Sequence, residues 1–77
     1  MKTNKFLSEL SETLELEEIE LNLHTNLKDL EEFDSLSVLS IIAMIDEQLG
    51  KRLSGNDFNS ITTVKSLMEL IGMESFD

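Results

Sequence analysis

The sequence contains no cysteine, no proline, no tryptophan and no tyrosine, and it has a single histidine. Without cysteine, the chain can form no disulfide, no thiolate metal site and no thiol nucleophile. A small chain without disulfides is typical of a reducing compartment, so we expect a cytoplasmic protein. Because prolines, repeats and Ser/Gly-rich linkers are all absent, we see no domain boundary and expect one domain over residues 1–77.

Basic residues are scarce as well: six Lys and Arg stand against 16 Asp and Glu, which gives a net charge of −10. Nucleic-acid binding requires a basic surface, so we expect no nucleic-acid partner. The first 35 residues hold ten of the acids and three lysines. This concentration is explained either by plain solvation or by a partner with a basic docking patch.

Long apolar runs are missing too. No stretch approaches the length needed to span a bilayer, and the basic residues at the N-terminus are not followed by an apolar signal segment. We therefore expect a soluble monomer without membrane insertion.

The spacing of apolar residues predicts an all-α fold, a small four-helix bundle of three longer helices and one short helix. The first helix is expected at about residues 4–16, with Thr3 or Asn4 as N-cap and a core stripe of Phe6, Leu7, Leu10 and Leu14. A short helix at about 55–60 is expected to begin with Ser54 and Asp57 and to bury Phe58. The last helix, at about 63–71, is expected to start at Thr62 or Thr63, to end at Gly72 and to bury Val64, Leu67, Met68 and Ile71.

Residues 17–34 are harder to assign. Ile19, Leu21 and Leu23 alternate with polar residues as in a strand, but no second strand is available to pair with them. We therefore predict a long ordered loop that its leucines pin to the bundle, with a helical turn begun by Thr25. At the other end of the chain, Met73 to Asp77 are expected to fray.

The second helix, at about 35–49, is predicted to begin at Ser35 as N-cap and to stop at Gly50. On a helical wheel, one arc is apolar and should face the core: Val38, Ile41, Ile42, Ile45 and Leu49. The opposite arc mixes exposed aliphatic residues with acids, and it is predicted to bind partners: Leu36, Leu39, Ser40, Ala43, Asp46 and Glu47.

Residue combinations typical of enzymes are almost absent. His24 is isolated in the predicted loop, Ser35 has no histidine close in sequence, and pairs of acids such as Glu31 and Glu32 are typical of a solvated surface. No calcium-loop pattern and no Gly-rich phosphate loop occurs. We expect no catalytic residue and no metal site. From the residues alone, Ser35 is a helix cap at a positive dipole end, where a phosphate ester is favoured.

Two segments resemble the acyl carrier protein family. They are Phe33-Asp34-Ser35-Leu36-Ser37 at a predicted helix start and Ile61-Thr62-Thr63-Val64 before the last helix, and the pattern extends from about Phe6 to Ile71. Two departures make the chain similar to stand-alone members outside primary fatty-acid synthesis. Glu31-Glu32-Phe33 replaces a glycine common before the motif, and Ser37 and Ser40 stand where fatty-acid carriers commonly have acids. The resemblance therefore implies dedicated partners with a less basic docking surface.

By this resemblance, Ser35 carries covalent 4′-phosphopantetheine, Asp34 helps to present the serine to a phosphopantetheinyl transferase, and Leu36 contacts partner enzymes. The arm would hold an acyl or aminoacyl group as a thioester for acyl-loading and acyl-transfer enzymes. These would belong to fatty-acid or to specialised lipid, polyketide or surface-glycan biosynthesis. The bundle would shelter an apolar cargo among Val38, Ile41, Ile45, Ile61 and Leu67.

An alternative of another class is an unmodified acidic adaptor that binds a protein through the same face of the second helix. The adaptor would keep its function in Ser35→Ala and lose it in Leu39→Asp.

The net charge of −10 leads to a first prediction. Raising the ionic strength or adding divalent cations should raise the melting temperature, because both screen the repulsion among the acids in the folded chain. Thermal unfolding followed by circular dichroism between low and high salt measures this. A melting temperature that does not respond to salt would contradict it.

Overall fold

Three α-helices make up the fold in a computed structural model that describes residues 1–17 and 20–77. They are α1 at Thr3–Thr13, α2 at Ser35–Leu49 and α3 at Val64–Ile71. Shorter 3₁₀ helices occupy Leu27–Asp29, Gly55–Asn59 and Met73–Ser75. The short helix predicted at about 55–60 is the 3₁₀ helix Gly55–Asn59. No strand occurs among the described residues, so the predicted all-α bundle is confirmed. No helix in this part of the chain is long and apolar enough to cross a membrane.

Both ends of α1 differ from the prediction. Neither Thr3 nor Asn4 is the N-cap, because Thr3 is already helical and its hydroxyl donates to the Asp77 carbonyl oxygen at 2.7 Å. At its other end the helix stops at Thr13, three residues earlier than expected. The cause is Glu15, whose φ of 57° lies in the left-handed region and cannot continue a right-handed helix.

The leucines of the connection between α1 and α2 pin it to the bundle, as predicted. Leu27 is fully buried and Leu21 nearly so, while Leu23 and Leu30 are half-buried. Ile19, which belongs to the rejected strand pattern, lies outside the described residues. Burial of several apolar side chains offsets the entropy of ordering such a long connection.

Backbone hydrogen bonds tie the same connection to the start of α3. Three amides take part: Leu27 N–H donates to Thr62 O (2.7 Å), Val64 N–H to Thr25 O (3.1 Å) and Lys65 N–H to Leu23 O (3.0 Å). The predicted turn begins one residue later than Thr25, because the side chain of Asn26 accepts from the Lys28 amide and caps the 3₁₀ helix Leu27–Asp29. The connection is thus held at both its side chains and its backbone.

At the other helix ends, the polar and glycine residues act as caps and stops where they were expected. Gly50 follows α2 in the left-handed conformation, and Gly72 follows α3 with a positive φ. The Thr63 hydroxyl accepts from the Ser66 amide at 3.1 Å and caps α3. Before the short 3₁₀ helix, the Asp57 carboxylate accepts from the Ser54 amide at 2.8 Å. These local interactions were readable from sequence because each needs only neighbouring residues.

One core joins the three α-helices, the connection and the short 3₁₀ helix. Its buried side chains are Phe6, Leu10, Leu14, Leu21, Leu27, Ile41, Met44, Ile45, Phe58, Ile61, Val64, Leu67, Met68 and Ile71. The predicted stripe of α3 is confirmed in full, and that of α1 except for the half-buried Leu7. Among the described residues, no polar or charged side chain is buried.

The apolar arc of α2 faces the core as predicted, but it is wider than expected. Ile41 and Ile45 are fully buried, but Val38, Ile42 and Leu49 are only half-buried, and Met44 is buried although it was not predicted. The three half-buried residues pack against the core, and at about 100° per residue Met44 extends the arc by roughly 60° beyond Ile41. A wheel shows that α2 has a broad apolar surface, but only packing against other elements selects which part of it is covered.

The C-terminal segment does not fray as predicted. It forms the 3₁₀ helix Met73–Ser75, and the ring of Phe76 packs edge to face on Phe6, with 4.9 Å between the ring centroids. The Asp77 amide donates to the Met1 carbonyl oxygen at 3.0 Å. An aromatic contact and backbone pairing with the start of α1 order a segment that has no helical pattern of its own.

Candidate functional site

The start of α2 is fixed by a reciprocal cap between Asp34 and Ser37. Oδ1 of Asp34 accepts from the Ser37 amide at 2.9 Å, and the Asp34 amide donates to Oγ of Ser37 at 2.8 Å. The predicted cap at Ser35 is therefore wrong by one residue. A carboxylate is as good an N-cap as a serine, and it also interacts favourably with the positive end of the helix dipole.

Because Asp34 is the N-cap of α2, the side chain of Ser35 has no capping role. Ser35 is the first helical residue and is exposed, and its hydroxyl has no hydrogen-bond partner within residues 1–17 and 20–77. The first amides of a helix also have no acceptor inside the helix. Asp34 accepts from those of Ser37 and Val38, whereas the amides of Ser35 and Leu36 have no acceptor among the described residues and are available to a ligand.

The predicted partner face of α2 is exposed along its whole length. Leu36 is 75% and Leu39 62% exposed, which is far more than a leucine in a packed helix would be. The six predicted members all lie on the solvent side: Leu36, Leu39, Ser40, Ala43, Asp46 and Glu47. The half of this face next to Ser35 is apolar or neutral, and its acids come only in the last turn of α2.

An open groove of about 530 Å³ begins at Ser35 and runs between α2 and the 3₁₀ helix Gly55–Asn59. Its lining comes from three separate segments: Lys28, Phe33, Asp34, Ser35, Val38, Leu39, Gly55, Phe58 and Asn59. The rings of Phe33 and Phe58 have centroids 6.5 Å apart and join the connection to the 3₁₀ helix. A group attached to Ser35 would therefore have a mostly apolar surface beside it.

The predicted site residues Asp34, Ser35 and Leu36 lie at the start of α2. Two further residues that line the groove, Lys28 and Asn59, are not predicted from the sequence. Both reach the site through the folding of distant segments, and neither belongs to a local motif that could have indicated it.

Features that would support catalysis by the chain itself are missing from the described residues. His24 is exposed in a turn, where its amide donates to the Asn22 side chain at 2.8 Å. No cluster of His, Cys, Asp and Glu in this part of the chain could hold a metal ion. A larger groove of about 730 Å³ runs along α1, but it shares no residue with the site at Ser35. The exposed side chain of Ser35 is accessible to a group attached there.

Comparison with known proteins gives two matches. The sequence profile of the family described as "Phosphopantetheine attachment site" matches residues 4–71. Among solved structures, the chain is similar to the holo acyl carrier protein from Geobacter metallireducens, determined by solution NMR. That likeness has a TM-score of 0.72 at 17% identity and covers 91% of this chain and 80% of the other. At this identity, it shows a shared fold. No curated protein sequence matches the chain.

The cap leads to a second prediction. Asp34→Ala should lower the free energy of unfolding by about 1 kcal/mol, because the Ser37 amide loses its acceptor. Asp34→Asn keeps an acceptor oxygen and should remain within about 0.5 kcal/mol of the unsubstituted protein. Urea unfolding measures both. An Asp34→Ala variant as stable as Asp34→Asn would show that the cap does not hold α2.

Proposed function

Because the chain belongs to the phosphopantetheine attachment site family of carrier proteins, we propose that Ser35 is the residue that bears the 4′-phosphopantetheine arm. The observation that carries this proposal is the free, exposed hydroxyl of Ser35 at the first position of a helix that its neighbour Asp34 caps. Acyl carrier proteins, whose fold this chain shares, carry cargo for other proteins and are not enzymes themselves.

The residues at the start of α2 fit such a group. A phosphodiester on the Ser35 hydroxyl would displace no hydrogen bond within the described residues, and its oxygens are acceptors for which the Ser35 and Leu36 amides are suitable donors. When attached, the arm supplies a thiol, which this cysteine-free chain lacks, to hold an acyl or aminoacyl cargo as a thioester. Asp34 keeps the serine at the exposed end of α2, and we assign it the role of presenting Ser35 to the transferase.

The partner face is proposed to dock the transferase and the acyl-loading and acyl-transfer enzymes. Leu36 and Leu39 are its main apolar contacts, since exposed aliphatic residues beside an attachment point gain most from burial in a partner. Its acids, Asp46 and Glu47, lie in the last turn of α2, away from Ser35. We therefore propose dedicated partners in specialised lipid, polyketide or surface-glycan biosynthesis, whose docking surface is less basic than that of fatty-acid enzymes.

Shelter of an apolar cargo in the core is a further part of this proposal. Ile41, Ile45, Ile61 and Leu67 are at most 2% exposed and belong to the one core cluster, and the half-buried Val38 packs against that cluster. Taking up a chain would require these residues to separate. The cytoplasmic setting is likewise proposed from the lack of cysteine. Family membership favours a modified carrier over the unmodified adaptor.

The attachment site is tested by intact mass after incubation with coenzyme A and a broad-specificity phosphopantetheinyl transferase. The unsubstituted chain should gain the mass of one 4′-phosphopantetheine, and Ser35→Ala should gain none. Ser8→Ala, which removes an exposed serine of α1 outside the partner face, should gain the same mass as the unsubstituted chain. Equal gain in Ser35→Ala, or no gain in the unsubstituted chain, would overturn the assignment.

The docking face is tested with the same transferase as the probe. Leu39→Asp should reduce kcat/KM for modification about tenfold or more, because it places a charge where an apolar contact is expected, while the exposed position leaves the fold intact. Met73→Asp adds the same charge at an exposed apolar residue outside the face, and should be modified normally. Equal rates for the two variants would refute the role of Leu39.

A further inference from the structure

Among the residues that the structure describes, Lys28 is the one cation in the lining of the groove beside Ser35. It lies in the connection between α1 and α2, on the 3₁₀ helix Leu27–Asp29. The other charged residue of the lining is Asp34, whose carboxylate is engaged in the cap of α2. The groove thus has the Lys28 ammonium and the Asp34 carboxylate in its lining, and its other lining residues are apolar or neutral.

The backbone of Lys28 is held firmly for an exposed lysine. Its amide donates to the side chain of Asn26 at 2.9 Å, and the preceding Leu27 is fully buried. Nζ donates to the carbonyl oxygen of Asn59 across the groove at 3.1 Å. An ammonium group has three N–H donors, so this bond orients the group and leaves two donors without a partner among the described residues.

The surroundings of Ser35 are otherwise acidic. Glu31, Glu32 and Asp34 precede it within four residues and are all exposed, in a chain with a net charge of −10. A phosphodiester adds one more negative charge at this point. Charges within about 8–10 Å of one another interact appreciably at physiological salt, so a nearby cation would offset part of this repulsion.

We propose that Lys28 binds the phosphodiester of the arm attached to Ser35 and directs the first part of the arm into the groove. This inference rests on the proposed function of Ser35. The first part of the arm has an anionic phosphate and, beyond it, a carbon that bears two methyl groups. The groove offers a cation and then apolar surface in the same order. Lys28 provides the cation, and Phe33 and Val38 provide apolar surface next to it.

The experiment compares apo and holo protein, without any cargo, in four chains: the unsubstituted chain, Lys28→Gln, Lys28→Arg and Lys51→Gln. Lys51 is the matched control, because it is an exposed lysine just beyond the far end of α2, about 22 Å along the helix from Ser35. The readouts are the change in melting temperature on modification and the ³¹P chemical shift of the holo form. Taking the holo-minus-apo difference cancels any effect of losing the bond to Asn59.

The holo-minus-apo change in melting temperature should be about 1–5 °C more negative in Lys28→Gln than in the unsubstituted chain. This is the size expected for loss of one exposed charge pair in a domain of this size. Lys28→Arg and Lys51→Gln should match the unsubstituted chain, and the difference should shrink in about 1 M salt. The ³¹P shift should change only in Lys28→Gln.

The same holo-minus-apo difference and ³¹P shift in Lys28→Gln as in the unsubstituted chain would overturn the role of Lys28. That result is distinct from failure of the proposed function, in which the unsubstituted chain would gain no mass at all.

Discussion

The connection between α1 and α2 must lie against the start of α3, and the site depends on this constraint. Burial of Leu27 and the backbone bonds to Thr62 and Val64 hold the connection there. As a consequence, Phe33 reaches Phe58 and the connection enters α2 beside the 3₁₀ helix Gly55–Asn59. Without this tie, Ser35 could still begin a helix, but Lys28 and Phe33 would not be held in the lining of the groove beside it.

Helix α2 has one surface in the core and another in solvent. Ile41 and Ile45 join the core, while Leu36 and Leu39 remain exposed close to Ser35. A chain of 77 residues can bury only a small core, and leaving two leucines in water gives up part of the available stabilisation. This loss is understandable if the leucines are buried in the complexes through which a carrier works.

Much of the fold could be predicted because its signals are local. The caps and stops at Thr63, Gly50 and Gly72 need only adjacent residues, and the stripe of α3 follows from helical periodicity alone. Two of the wrong predictions concern groups for which distant segments compete. The Thr3 hydroxyl bonds to the C-terminal segment instead of capping α1, and Phe76 packs on Phe6 instead of fraying.

The sequence by itself determined the helical class, the exposed face of α2 and the serine at its start, because periodicity and the motif Asp34-Ser35-Leu36 are properties of consecutive residues. Tertiary structure decided which arc of α2 is buried and which cation reaches the groove. Both depend on how helices rotate against one another and where the long connection packs. Such contacts join residues far apart in the chain, as Lys28 and Asn59 are, and no local pattern encodes them.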